Sequence, residues 1–290
     1  MERKKNRTKF VVSALALGVL VVFAFNAVGG NLEPASPPGP TMKTLDEVEP
    51  RIPIGPDTTP GDINYTYKIT KSGSYYLTGN CTAILDGILI DANNVTINLM
   101  GYEIIGSGLP VTFGIFMNGR SNVEIRNDTI REFGSHGIID YGFGKSHRII
   151  DVRSVSNKGG GMRLMGNGHM VKNCTVSDNG NSATDDTSGI SVGDNSMVTG
   201  NIVCNNGNLA TSHVRGIYAG TGSMVNGNTV YGNGTLCEDN VYGIQGWFGS
   251  KVTGNTVYDN GNQATGEQVF AITASLSSTV KSNTVYKNGD

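Results

Sequence analysis

From about residue 87 onward, apolar residues fall in short runs that alternate with polar ones and are separated by Gly and Asn. In one stretch Ile217, Ala219, Val225 and Val230 mark the apolar positions. Period-two alternation in runs closed by turn residues predicts strands. No stretch is long enough for an amphipathic helix, which excludes leucine-rich and ankyrin-type repeats. The pattern also recurs. Asn-Gly follows an apolar run at Asn179-Gly180, Asn206-Gly207, Asn233-Gly234, Asn260-Gly261 and Asn288-Gly289, at spacings of 27, 27, 27 and 28. Gly-Ile recurs at Gly87, Gly114, Gly137, Gly189, Gly216 and Gly243, with Gly161-Met162 and Ala271-Ile272 as variants. Gly-Asn-Thr-Val-Tyr stands at 227–231 and 254–258. A fixed period of this size means stacked units, and a propeller blade would need about 40 residues. Each unit fits one coil of a parallel β-helix.

Stacking explains the residue types. Eight coils between 87 and 290, at about 4.8 Å per rung, predict a rod about 40 Å long. Ile and Val point into a narrow core and lie on their copies above and below. Gly permits the positive φ of sharp corners. Asn makes up 30 of the 290 residues. Asn201, Asn228, Asn255 and Asn283 share one repeat position, so their amides can bond along the rod as a ladder. Cys174 takes that place in the preceding coil.

The segment 68–80 (KITKSGSYYLTGN), with Gly87-Ile88-Leu89-Ile90 and Asn94-Val95-Thr96-Ile97-Asn98-Leu99 after it, carries a resemblance. Over about residues 62–290 the chain resembles right-handed parallel β-helix repeat proteins of the pectate-lyase-like superfamily, of the exported bacterial type. The resemblance implies an all-β solenoid, export, and contact with polysaccharide. It leaves the activity open, because the fold hosts lyases, hydrolases, epimerases, adhesins and surface proteins.

The N-terminal part reads differently. Arg3, Lys4, Lys5, Arg7 and Lys9 precede an apolar run from Phe10 to Phe25, and Ala27, Gly29 and Gly30 follow. That order marks residues 1–29 as a signal peptide, or as a membrane anchor if it is retained. Both place the remainder outside the cytoplasm, secreted or at the cell surface. Residues 30–61 hold eight of the nine prolines and read as an extended linker. Residues 62–86 read as a cap, and 87–290 as the β-helix. At the other end, Lys281 to Asp290 is still repeat sequence. This predicts an open last coil that self-associates end to end or docks on a partner. Charged residues are 16% and the formal net charge is -2, which excludes a nucleic-acid binder built on a basic surface. Cys81, Cys174, Cys204 and Cys237 either pair in one of three ways or serve as small buried apolar groups.

Two surfaces could carry chemistry. The residues after each Gly-Ile point outward: Leu89, Phe116, Ile139, Arg163, Ser191, Tyr218, Gln245 and Thr273. Arg163 is the one cation of that row, and the row has no acid. The segments 181–188, 208–215, 235–242 and 262–270 predict a ridge. It brings together Asp185, Asp186, His213, Glu238, Asp239 and Glu267, with Arg215 and Tyr242 at its base beside Tyr218. Carboxylates, a His, an Arg and aromatics suit sugar hydroxyls, sugar stacking or a weak Ca²⁺ site. Trp247 offers a stacking platform on an outer turn. His136 and His147 read as turn or surface residues. A polygalacturonase-like order fails, because both Gly-His segments, Gly134-Ser135-His136-Gly137 and Gly168-His169-Met170, precede Asp185-Asp186. Three readings stay open: a non-catalytic polysaccharide binder or stacking structural protein, a polysaccharide lyase or related carbohydrate-active enzyme, and an adhesin or filament subunit. The compartment is checked by the intact mass of protein recovered outside the cell. Cleavage predicts loss of residues 1–29, and an anchor predicts their retention.

Overall fold

The computed structural model describes residues 51–290 apart from Ser182, Glu267 and Asp290. The signal or anchor segment, the linker up to residue 50 and Glu267 of the ridge lie outside the described residues. Every interstrand ladder among the named strands is parallel, and no helix occurs among the described residues. The strands stack in three rows. One row is a nine-stranded sheet running from Tyr65–Ile69 and Asp86–Ile90 to Val241–Gly246 and Val269–Ala274. A second row passes through Val95–Asn98, Met170–Lys172, Met197–Thr199, Met224–Asn226 and Lys251–Thr253. The third passes through Cys81–Ala83, Thr175–Ser177, Ile202–Cys204, Thr229–Tyr231 and Thr256–Tyr258.

Register is like over like. Ile190 pairs with Ile217, Ile217 with Ile244, and Ile244 with Ile272. Val203, Val230 and Val257 form one column of the third row. These side chains are fully buried up to Val257 and Ile244, and each full burial stabilises by about 1.5–3 kcal/mol relative to exposure. Val280 and Val285 continue the Val252 and Val257 columns but are half exposed, with no rung above them among the described residues.

The turns of the coil are held by asparagine amides. The Asn201–Asn228–Asn255–Asn283 ladder forms as expected, and the Cys174 amide donates to Asn201 Oδ1 at 2.8 Å. A second ladder runs through Asn157 and then Asn179, Asn206, Asn233, Asn260 and Asn288, the last five being the Asn of the recurring Asn-Gly. Within it, Asn233 Nδ2 donates to Asn260 Oδ1 at 2.9 Å and to the carbonyls of Val203 and Tyr231 at 3.1 Å. Its Oδ1 accepts both the backbone and side-chain N–H of Asn206. The amide therefore satisfies groups from three successive rungs where water cannot reach. The following glycine, Gly234, is left-handed at φ 65°, and a Cβ there would lie 2.7 Å from Val241. Glycines of the Gly-Ile pairs serve a different purpose from corner-making. At Gly216 a Cβ would stand 2.5 Å from Val230 Cγ1, so the residue is small because two sheets meet there.

Two expectations from the sequence need amendment. The nine-stranded sheet gives about nine turns where about eight were expected, because Tyr65–Ile69 already pairs with Asp86–Ile90. Part of the Pro-rich leader is not free: Ile52–Ile54 pairs in parallel with Tyr75–Leu77. Of the two alternatives open for the cysteines, the structure has the second: all four are buried and unpaired. Burial raises their thiol pKa values, to about 12 for Cys174, so they behave as small apolar groups. The ridge segments do stack, through hydrogen bonds such as Glu238 N to Ala210 O and Thr265 N to Cys237 O. Ala210, Val214, Cys237 and Val241 give the ridge a small core of its own.

Because Asn233 bonds both neighbouring rungs, Asn233→Ala strands several buried donors and acceptors. The expected cost is about 3 kcal/mol, read from denaturant unfolding, whereas Asp185→Ala at an exposed ridge position leaves the midpoint unchanged.

Candidate functional site

Two rows of side chains face outward from the nine-stranded sheet, one on each side of the inward Ile and Met positions. The residues after them, Ile139, Arg163, Ser191, Tyr218 and Gln245, pair in register. The row two positions before them includes Ser188, Arg215, Tyr242 and Phe270, and His136 and Gly160 stand at the same offset from Ile138 and Met162. Side-chain size along these rows makes the relief. Gly160, Ser188 and Ser191 are small, and larger residues stand on either side of them along the rod. The result is a groove of about 480 Å³. His136, Arg163 and Phe143 line it toward the N-terminal end, and Asp186, Arg215 and Tyr218 toward the C-terminal end, with Asp194 at the rim. A side chain at Gly160 would place its Cβ 3.0 Å from the His136 ring and 2.9 Å from the Ser188 carbonyl.

Each wall is an organised cluster. On one side the Arg163 guanidinium lies 5.3 Å from the centre of the Tyr141 ring. Tyr141 meets His136 edge-on at 6.4 Å and Phe113 at 6.1 Å. Arg163 has no carboxylate partner among the described residues. Burial, reinforced by the nearby Arg163 charge, pushes His136 down to about 4. Burial also raises the Tyr141 phenol. At neutral pH this wall is therefore one cation beside a neutral imidazole and a neutral phenol. On the other side Arg215 donates to Asp186 Oδ2 at 3.0 Å and to Gln245 Oε1 at 2.6 Å. It also lies over Tyr218 at 5.8 Å and Tyr242 at 5.6 Å. Partial burial would raise the Asp186 pKa, but the hydrogen bonds from Ser212 and Arg215 outweigh it and hold the carboxyl below its usual value.

The structure thus brings Arg163, Asp186, Arg215 and Tyr218 to one groove, with Tyr242 behind Arg215. His213 and Asp239 form a separate pair on the ridge, Nδ1 to Oδ1 at 3.0 Å, beside Tyr242. Asp185 and Glu238 are exposed on the ridge and do not line the groove. Trp247 packs on Phe248 at the turn after Val241–Gly246, outside the groove. Among the described residues, no three His, Cys, Asp or Glu side chains converge in a way that could hold a metal ion. Leu89 and Ile139 of the outward row are buried. Sequence reasoning missed His136, Tyr141 and Phe143. His136 could have been found from its offset, two residues before Ile138 as Arg215 stands before Ile217.

A family model described as "Right handed beta helix region" matches residues 113–290, more than half of the chain. No curated protein matches. Among solved structures, the Dettilon tailspike protein (gp208) is similar at 14% identity and a TM-score of 0.46, over 77% of this chain and 54% of the tailspike. The chain thus spans about half the length of that protein. The A-modules of two Azotobacter vinelandii mannuronan C-5 epimerases are similar at 14% identity. For AlgE6 the TM-score is 0.33, over 81% of this chain and 88% of the module. For AlgE4 it is 0.34, over 74% and 87%.

The His136 environment has a measurable consequence. A folded pKa near 4 against 6.5 for the free ring means the unfolded chain takes up the proton first. Stability from this residue is lost as pH falls from about 6.5 toward 4. The His136 ring resonance is expected to titrate near 4 in the native protein and to move upward in Arg163→Gln. A native midpoint near 6.5 contradicts the described wall.

Proposed function

The chain belongs to the right-handed β-helix family, and from that premise we propose that it binds an extended, acidic polysaccharide in the groove without cleaving it. The observation that carries the reading is Arg163, a guanidinium with no carboxylate partner among the described residues, held over Tyr141 inside a shaped hollow. Such a group donates charge-assisted hydrogen bonds to a sugar carboxylate or sulfate. Arg215 is already neutralised by Asp186, so the second wall suits the neutral part of the same chain. There Tyr218 presents a ring, and Asp186 and Asp194 present acceptors to hydroxyls. The volume lies within the range of small-molecule sites. The rungs are about 4.8 Å apart, comparable with the advance of one pyranose unit, so successive rungs can address successive sugars. The basic-then-apolar order of residues 1–29 supports a location outside the cytoplasm.

A second reading, modification of the same polysaccharide, is favoured by one feature. Neutral His136 can accept a proton beside a cation able to neutralise a uronate carboxylate, and Tyr141 holds a proton to donate.

Titration calorimetry with oligogalacturonate, oligoalginate and an uncharged glucan tests both readings. Binding of an acidic oligomer is expected to weaken about tenfold or more in Arg163→Gln, the size of one charge-assisted contact, and about tenfold in Tyr218→Ala, which removes a ring for stacking. Asp185→Ala and Trp247→Ala leave it unchanged. Absence of binding to any acidic oligomer, or binding indifferent to Arg163, overturns the proposal. An unsaturated product or an inverted C5 centre that vanishes in His136→Ala establishes the second reading in its place.

A further inference from the structure

In the nine-stranded sheet, the position two residues after each inward Ile or Met is a core position. It holds Ile90, Met117, Leu164, Val192 and Ala219 in different coils, all buried. In one coil it holds Asp140, which pairs in register with Leu164 and is wholly buried. A carboxylate there costs free energy unless its oxygens are fully bonded, and they are. Oδ1 accepts from Gly119 N at 2.7 Å and Gly142 N at 2.9 Å. Oδ2 accepts from Gly144 N at 2.8 Å and His147 Nε2 at 3.1 Å. The neighbouring coils close the same corner without an acid, so the fold itself does not demand one.

What distinguishes this coil is the segment 141–146, which places Phe143 in the groove lining and Tyr141 against Arg163, itself a lining residue. Its backbone is unusual, with Phe143 and Ser146 both at φ 57°. It approaches the carboxylate closely because it is glycine: a Cβ at 144 would lie 2.4 Å from Asp140 Oδ2, and one at 142 would lie 2.4 Å from Gly119. His147 is locked in turn. Its Nδ1 accepts from Val123 N at 3.4 Å, and its backbone N–H donates to His169 Nδ1 at 3.3 Å, the two rings stacking at 4.9 Å. His169 Nε2 donates to Met165 O at 3.2 Å. In both rings Nδ1 thus accepts and Nε2 faces an acceptor oxygen. Burial is the main cause that holds the His169 ring down to about 4. For Asp140, burial alone would raise the pKa. The bonds from His147 and from the Gly142 and Gly119 amides reverse this and lower it.

We propose that Asp140 is the positioning residue of the groove. From the core, its carboxylate fixes the backbone of 141–146, so that Tyr141 carries Arg163 and Phe143 forms the rim. It sets ligand affinity without touching ligand. The inference rests on the groove being the binding site, and the test separates the two. Hydrogen exchange at neutral pH is read on the full chain over 117–120 and 140–147, with 198–206 of the asparagine ladders as reference. Oligogalacturonate affinity is measured on the same proteins. In Asp140→Asn, which puts an amide N–H against a backbone donor, exchange of 140–147 is expected to rise about tenfold or more, with 198–206 unchanged. Affinity falls about tenfold, to the level of Tyr141→Ala. His147→Gln, which keeps an N–H donor toward the carboxylate, retains most of both.

Unchanged exchange in Asp140→Asn overturns the proposal, and so does faster exchange with unchanged affinity. If the native protein binds no probe, the binding reading fails, while the exchange comparison still decides whether Asp140 orders the segment. If Asp140→Asn does not fold, Asp140→Leu, which matches the next rung, takes its place. Failure of both to fold assigns Asp140 to the core alone and overturns the positioning role.

Discussion

The structure depends on one constraint: each rung must present to the next the same pattern of apolar side chains and amides. A coil of this kind has no independent core. Its Ile and Val columns and its two asparagine ladders exist only as shared property of adjacent rungs. The amides are the stricter part. An inward Val tolerates another apolar residue of similar volume, but a ladder Asn is donor and acceptor to rungs on both sides at once. That is why the Asn-Gly spacing is so nearly invariant while the outward residues vary freely. The constraint leaves function to the outward rows, where neither core nor ladder dictates the residue.

This division explains what could be read from the chain. The period, the parallel stacking, the Cys174 substitution in the ladder and the stacked ridge all follow from spacing, and spacing is written in the sequence. The second ladder was present as the Asn of Asn-Gly, but that pair reads first as a turn, and only the geometry shows that its amide faces inward. Glycine in general was read as a corner residue, and the glycines of Gly-Ile carried no separate reading. Gly216 instead marks the closest approach of two sheets, a distance no single coil contains.

The groove was only half legible. Arg163, Arg215 and Tyr218 stand on regular offsets, and the ridge brought Asp186 to their neighbourhood. Alternation then decides the rest: Asp186 turns to Arg215 while its neighbour Asp185 turns to solvent. His136 lies on the same offset as Arg215, but its coil is shorter and lacks the ridge segment, which hides the correspondence. Phe143 reaches the groove through a left-handed excursion, which local patterning does not foretell. Asp140 was legible as an anomaly, since Gly-Ile-Ile-Asp ends in a charge where Gly-Ile-Leu-Ile, Gly-Ile-Ser-Val and Gly-Ile-Tyr-Ala end in apolar residues. A local break in a strict pattern marks the place where the fold serves something other than itself.

Function on this scaffold thus reduces to which outward residues enclose a space and what charge they leave unpaired. Chemical-shift mapping during titration with an acidic oligosaccharide addresses that most directly. The account predicts perturbations centred on His136, Arg163, Ser191 and Tyr218, with Asp185, Glu238 and Trp247 silent. Perturbations centred on the ridge crest, on Trp247 or on the last coil, with the groove silent, would contradict it.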